Sequence, residues 1–112
     1  PKAEVKDDRI QISLNYIRKN INAHLDIDFL ANKACMSKDH YIRLFKRETG
    51  ETPNAYITKR KLEKAELSLV TTAMPVKSIA DILGYDDYSY FNRLFKKYAG
   101  VTPQKYRELH FE

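Results

Sequence analysis

The chain has 112 residues, 43% of them hydrophobic and 31% charged, with only 3 Gly and 4 Pro; this is the length of one domain or of two very small ones, and the composition of an ordered, helical protein. No apolar run approaches the roughly 20 residues of a membrane span, the first four residues form no apolar signal core, and the single cysteine, Cys35, rules out an internal disulfide, so a cytosolic protein without a membrane partner is expected. The net charge of +5 suits a polyanionic partner, and its distribution is uneven: residues 37–64 carry eight basic and four acidic side chains, and residues 88–107 carry five basic and none acidic.

In chain order, the first predicted element is a helix with Ile10, Leu14, Ile17 and Ile21 along one stripe. A short helix follows, with Asp28 as N-cap and Ile27, Leu30, Ala31 and Ala34 as its apolar face; it turns at Cys35, Met36 and Ser37, where Cys35 is expected to be a buried small hydrophobe. The third helix runs to about Thr49, turning Tyr41, Leu44, Phe45 and the stem of Glu48 inward and Asp39, Arg43 and Lys46 outward, flanked by Ile42 and Arg47. After Gly50, Thr52 and Pro53 open a long helix to about Val70, with Ala55, Leu62, Ala65 and Leu69 inward and Thr58, Lys59, Arg60 and Lys61 mostly outward. Pro75 precedes a second short helix carrying Val76, Ile79, Ala80 and Leu83, which turns at Gly84. Past Asp86 and Asp87, the latter read as a cap, another helix to about Gly100 turns Phe91, Leu94, Phe95 and Tyr98 inward and Ser89, Arg93 and Lys96 outward, with Asn92 beside them. Thr102 and Pro103 open a last short helix. The fold class is therefore all-α with seven helices, no strand pattern being visible.

Two of these stretches are copies. Arg43-Leu44-Phe45-Lys46-Arg47-x-x-Gly50-x-Thr52-Pro53-x-x-Tyr56 recurs fifty residues later as Arg93-Leu94-Phe95-Lys96-Lys97-x-x-Gly100-x-Thr102-Pro103-x-x-Tyr106, identical at eight of fourteen positions. The preceding short helices repeat at an offset of forty-nine, which puts one extra residue in the second turn. Each copy reads as short helix, tight turn and second helix, the arrangement that lowers the second helix into a DNA major groove.

Each outer face offers an arginine near its middle, and arginine takes guanine O6 and N7 bidentately, as asparagine takes adenine, for about 1–3 kcal/mol of discrimination. The remaining basic and hydroxyl groups suit phosphate: Ser37, Lys38, His40, Lys46, Arg47 and Thr52 in the first copy, Tyr90, Lys96, Lys97 and Thr102 in the second. A linking helix of about 18 residues spans roughly 27 Å; with the flanking units it can set the two recognition helices near the roughly 34 Å between successive major-groove segments. Because the two outer faces differ, an asymmetric double-stranded site is expected. A helical protein-interaction module explains the repeat but leaves both basic faces without cause, and an RNA-binding domain lacks the exposed aromatic platform that single strands require. His24, His40, His110 and Cys35 have no metal-ligand spacing, and no phosphate loop or nucleophile constellation is visible; no enzyme, cofactor or metal is expected.

The stretch Ile79-Ala80-x-x-Leu83-Gly84-Tyr85-x-x-x-x-Tyr90-Phe91-x-Arg93-x-Phe95-Lys96-Lys97-x-x-Gly100-Val101-Thr102-Pro103-x-x-Tyr106-Arg107, with Leu30-Ala31-x-x-Ala34-x-Met36-Ser37 and Phe45-Lys46-x-x-x-Gly50-x-Thr52-Pro53 before it, resembles the DNA-binding domain of AraC/XylS-type bacterial transcription regulators. The resemblance implies a homeodomain-like tandem over residues 8–110: a first helix-turn-helix unit (8–52), a linker helix (53–71) and a second unit (72–110). It implies base contacts by Asp39, Ile42 and Arg43 and by Tyr88, Ser89, Asn92 and Arg93. It further implies a transcription regulator, mostly of the activating kind, working with RNA polymerase at the bacterial nucleoid. On the same ground this chain is expected to be the C-terminal domain excised from a parent protein that carries an effector or dimerisation region, the alternative being a stand-alone protein, as some relatives are. Two departures stand out: Cys35 occupies the first turn where glycine is commoner, and Ser68 stands where the family prefers leucine.

Overall fold

The Asp7 carboxylate accepts from the Arg9 N–H and opens the first helix, α1 (Asp8–Lys19), of the computed structural model, which describes residues 4–111; Pro1, Lys2 and Ala3, part of the start read above for a signal core, lie outside them. Six more helices follow: α2 (Ile27–Lys33), α3 (Lys38–Thr49), α4 (Pro53–Thr71), α5 (Val76–Ile82), α6 (Tyr88–Ala99) and α7 (Pro103–His110), with no strand among the described residues. The all-α, seven-helix expectation holds.

Matched caps fix the helix starts. Ser37 accepts from the N–H of His40, Thr52 from Ala55, Asp87 from Tyr90 and Thr102 from Lys105, all at 3.1–3.2 Å. Each satisfies an N–H that the helix itself leaves without a partner, for about 1 kcal/mol. Asp28 is not a cap: Asp26 accepts from its N–H, and Asp28 sits in the first turn of α2, where its charge meets the positive end of the helix.

The chain forms two units, the first of residues 4–21 and 25–58 and the second of residues 22–24 and 59–111. In the first, Ile10, Leu14 and Ile17 of α1, Leu30 and Ala31 of α2 and Tyr41, Leu44 and Phe45 of α3 share a core with Ile21 and Ile57. Tyr41 is fully buried, and its hydroxyl meets that of Ser13 at 2.5 Å, which satisfies both. Glu48 turns back onto the start of the fold, where its Oε1 accepts the N–H groups of Lys6 at 2.8 Å and Asp7 at 2.7 Å. In the second unit, Leu62, Ala65 and Leu69 of α4 pack with Ile79 and Ala80 of α5 and with Phe91 and Phe95 of α6. The Arg107 guanidinium donates to the carbonyls of Leu69 and Thr72 at 3.0 and 3.2 Å, closing the end of α4.

Three expected orientations change. Ala55 is exposed, and Ile57 takes the inward place. Lys61 is only 6% exposed, because its ammonium reaches backbone carbonyls. Tyr98 is 37% exposed and donates to Glu66 at 2.7 Å, so burial and then this carboxylate push its phenol up to about 12. Ser68 lines a cleft of about 60 Å³ together with Met74, Ile79 and Leu83.

Candidate nucleic-acid interface

The turns that hold α3 and α6 are built alike. In the first, Met36 N–H bonds the Ala31 carbonyl at 3.0 Å and Cys35 N–H bonds that of Asn32 at 2.9 Å; in the second, Tyr85 N–H bonds Ala80 and Gly84 N–H bonds Asp81, both at 3.0 Å. Each is a Schellman closure, and each needs one residue in the left-handed region. That residue is Gly84 at φ +88° and, in the first turn, Cys35 at φ +59°. Cysteine therefore accepts a conformation that costs an L-residue about 1–2 kcal/mol. Cys35 is exposed there rather than buried, since the left-handed residue lies at the outside of the turn. The extra residue of the second copy enters after Gly84: the equivalence runs at forty-nine through α2 and α5 and at fifty through α3 and α6.

These turns lead into two helices with one apolar and one basic face. On α3, Asp39, His40, Arg43, Lys46 and Arg47 are exposed, as are Ser37 and Lys38 at its start. On α6, Tyr88, Ser89, Tyr90, Arg93, Lys96 and Lys97 are exposed. Thr102 is exposed and Thr52 half-buried at the starts of α7 and α4. The structure thus leaves each of these groups accessible within its own unit.

Their surroundings differ. Ile42 is half-buried and packs on the first core, so only part of it remains for a base; its counterpart Asn92 is half-buried on α6. Asp39 lies in the first turn of α3, where its charge favours the helix end whether or not DNA is present. Lys38 is 3.8 Å from Asp28, an exposed pair that holds it weakly. The Arg93 guanidinium lies over the Tyr90 ring at 5.9 Å, and Tyr90 is 6.4 Å from Tyr85; this stacking narrows the orientations of Arg93 before any partner arrives. The hydroxyls of Ser37, Thr52 and Thr102 accept backbone N–H groups as caps, and each keeps its own O–H proton for a phosphate oxygen. Asp87 has no such proton, so its role is that of a cap.

Two long-range side-chain contacts of α3 and α4 were not singled out from the sequence. Lys61 was assigned outward, and Glu48 was placed inward only by its stem. Each bonds backbone roughly forty residues distant, and such a pairing leaves no trace in local periodicity.

Comparison with known proteins bears on the family and the fold. A family model described as a helix-turn-helix domain matches residues 30–109. The arabinose operon regulatory protein of Salmonella typhimurium is 31% identical over 102 residues, 90% of this chain and 36% of that protein. The probable transcription factor PqrA of Proteus vulgaris is 40% identical over 87 residues, 78% of this chain and 71% of that protein. Among solved structures, the C-terminal domain of AraT, a response regulator from Geobacillus stearothermophilus, is similar with a TM-score of 0.90 at 31% identity, over 95% of this chain and 88% of that one. The chain spans about a third of the length of the arabinose regulator.

Proposed function

Because the chain belongs to the AraC/XylS family of helix-turn-helix DNA-binding domains, we propose that it binds an asymmetric double-stranded promoter site, with α3 and α6 in successive major-groove segments, and activates transcription there. The observation that carries this reading is the repetition of one device: a Schellman turn, a capped helix, an exposed arginine in its middle and lysine or arginine beyond. A solvated helix face needs basic residues nowhere in particular, whereas groove readout needs them at equivalent places in both units. An unbroken 19-residue helix, α4, carries the chain from one unit to the next.

In this reading residues 8–110 form the DNA-binding module, with units 8–52 and 72–110 on either side of the linker 53–71. Arg43, Arg93 and Asn92 read base edges, Tyr88 and Ser89 lie against the groove at the start of α6, and Asp39 orients Arg43 or accepts from a cytosine amino group. Lys46, Arg47, Lys96, Lys97, Lys38 and His40 neutralise phosphates, with the hydroxyls of Ser37, Thr52, Thr102 and Tyr90 donating to the backbone. The role is non-catalytic, exercised at the bacterial nucleoid in contact with RNA polymerase.

Selection of bound sites from random duplex DNA, at stated salt, tests this. An enriched asymmetric motif with two halves about ten base pairs apart is expected; no enriched motif at all would overturn the reading.

A further inference from the structure

Lys61 occupies an unusual place for a lysine. It lies within α4, 6% exposed, with its ammonium donating to the carbonyl of Ala23 at 2.7 Å and to that of Leu83, and 5.8 Å from the centre of the Tyr85 ring. Leu83 is the C-cap of α5, where the helix leaves carbonyls without partners and carries its negative end. The next residue, Gly84, lies so close that a Cβ there would stand 3.1 Å from the Ala23 carbonyl oxygen. Leu83, Gly84 and Tyr85, the turn that launches α6, are therefore each in contact with Lys61 or with the backbone that Lys61 holds.

Taking an ammonium out of water is costly even when it is hydrogen-bonded, and a leucine or methionine in its place would fill the core without that cost. What a cation adds is direction: its N–H bonds fix where the Leu83 carbonyl points, and hence where the turn ends. We propose that Lys61 is a positioning residue for DNA recognition, setting the angle at which α6 leaves its turn and so the placement of Asn92 and Arg93. On the shared apolar stripe, where Leu14, Ile17 and Ile21 match Leu62, Ala65 and Leu69, the place of Lys61 is taken in the first unit by Ser13, equally buried but bonded to the Tyr41 hydroxyl rather than to the carbonyls of a turn. The effect of Lys61 is accordingly confined to the second unit.

This rests on the two-half-site reading, and the experiment separates the two. Lys61→Met, Lys61→Gln and Lys61→Arg are made in the whole chain, and binding is measured on the selected site and on versions with either half scrambled. Circular dichroism establishes the helical content of each variant, and Lys61→Gln, polar but one bond shorter, so that its N–H donors fall short of both carbonyls, carries the comparison if Lys61→Met does not fold. On the intact site Lys61→Met and Lys61→Gln lose roughly tenfold in affinity, the scale of one misplaced bidentate contact. On DNA with the α6 half scrambled they match the native chain, and Lys61→Arg recovers most of the loss. Equal weakening on all three DNAs, which a general loss of stability would cause, overturns the proposal, as does native-like binding of Lys61→Met and Lys61→Gln to the intact site. If the native chain itself does not distinguish the scrambled halves, the two-half-site reading fails and the proposal falls with it.

Discussion

Arg43 and Arg93 stand at equivalent places but in unequal company. Arg93 lies over Tyr90 on a helix that carries no acid, whereas Arg43 shares its helix with Asp39 and a half-buried Ile42. An arginine held by an aromatic ring loses less freedom on meeting a base, so the second helix is expected to be the stronger reader. Arg93→Ala is expected to relax preference at one base pair by about 1–3 kcal/mol and leave the others unchanged. Lys96→Ala is expected to weaken all sequences alike and reduce the steepness of the salt dependence by roughly one phosphate contact. Binding arrays at several salt concentrations distinguish the two; equal losses on every sequence for both variants would remove Arg93 from direct readout. Both arginines were legible because a 100° helical step and a repeat place them, and neither depends on a distant partner. Lys61 shows the opposite case. It lies four residues from both Ile57 and Ala65, on the inward side of α4, so periodicity alone places it correctly, but the habit of lysines to face water argued against it. Only the carbonyls of Ala23 and Leu83 make that burial tolerable, and nothing near Lys61 in sequence announces them.

The turns and caps were the most readable part of the fold, since Ser, Thr, Asp, Gly and Pro each supply a specific backbone need. The one misplaced cap, Asp28 for Asp26, is a choice between two acids two residues apart, and the i to i+2 bond that decides it is invisible in composition. Cys35 was expected inside because cysteines usually are, yet the closure of α2 required a left-handed residue there and put it outside. The two turns therefore respond differently to substitution. Cys35→Gly relieves the left-handed strain and is expected to stabilise the first unit by about 1 kcal/mol. Gly84→Ala adds a Cβ 3.1 Å from backbone as well as that strain, and is expected to cost more than Gly100→Ala, where the space beside the glycine is open. Urea unfolding of the three variants checks the order; a Gly84→Ala variant as stable as Gly100→Ala would show that the Ala23 backbone yields without cost.

For the protein as an equilibrium between native and unfolded chains, two groups set opposite slopes with pH. Burial draws Lys61 down to about 8 from the usual 10.5, so between those values the unfolded chain holds a proton that the native one has released, and stability rises with pH. Tyr98, pushed up to about 12 from 10, keeps its proton in the native chain when the unfolded chain has lost it, and stability falls across that higher window. The native chain is expected to gain on the order of 1–3 kcal/mol relative to Lys61→Met between pH 8 and 10.5, measured as the difference of their urea-unfolding free energies. Parallel curves would show that Lys61 titrates normally. The Glu48 bridge has a consequence of another kind. Because this carboxylate on α3 grips the N–H groups of Lys6 and Asp7, the polypeptide enters the fold tied to the first recognition helix itself. A force applied through the preceding chain, whether by a tether, a fused partner or an optical trap, is therefore shared between α1, along the backbone, and α3, through two hydrogen bonds, and the first unit is the one that feels the pull.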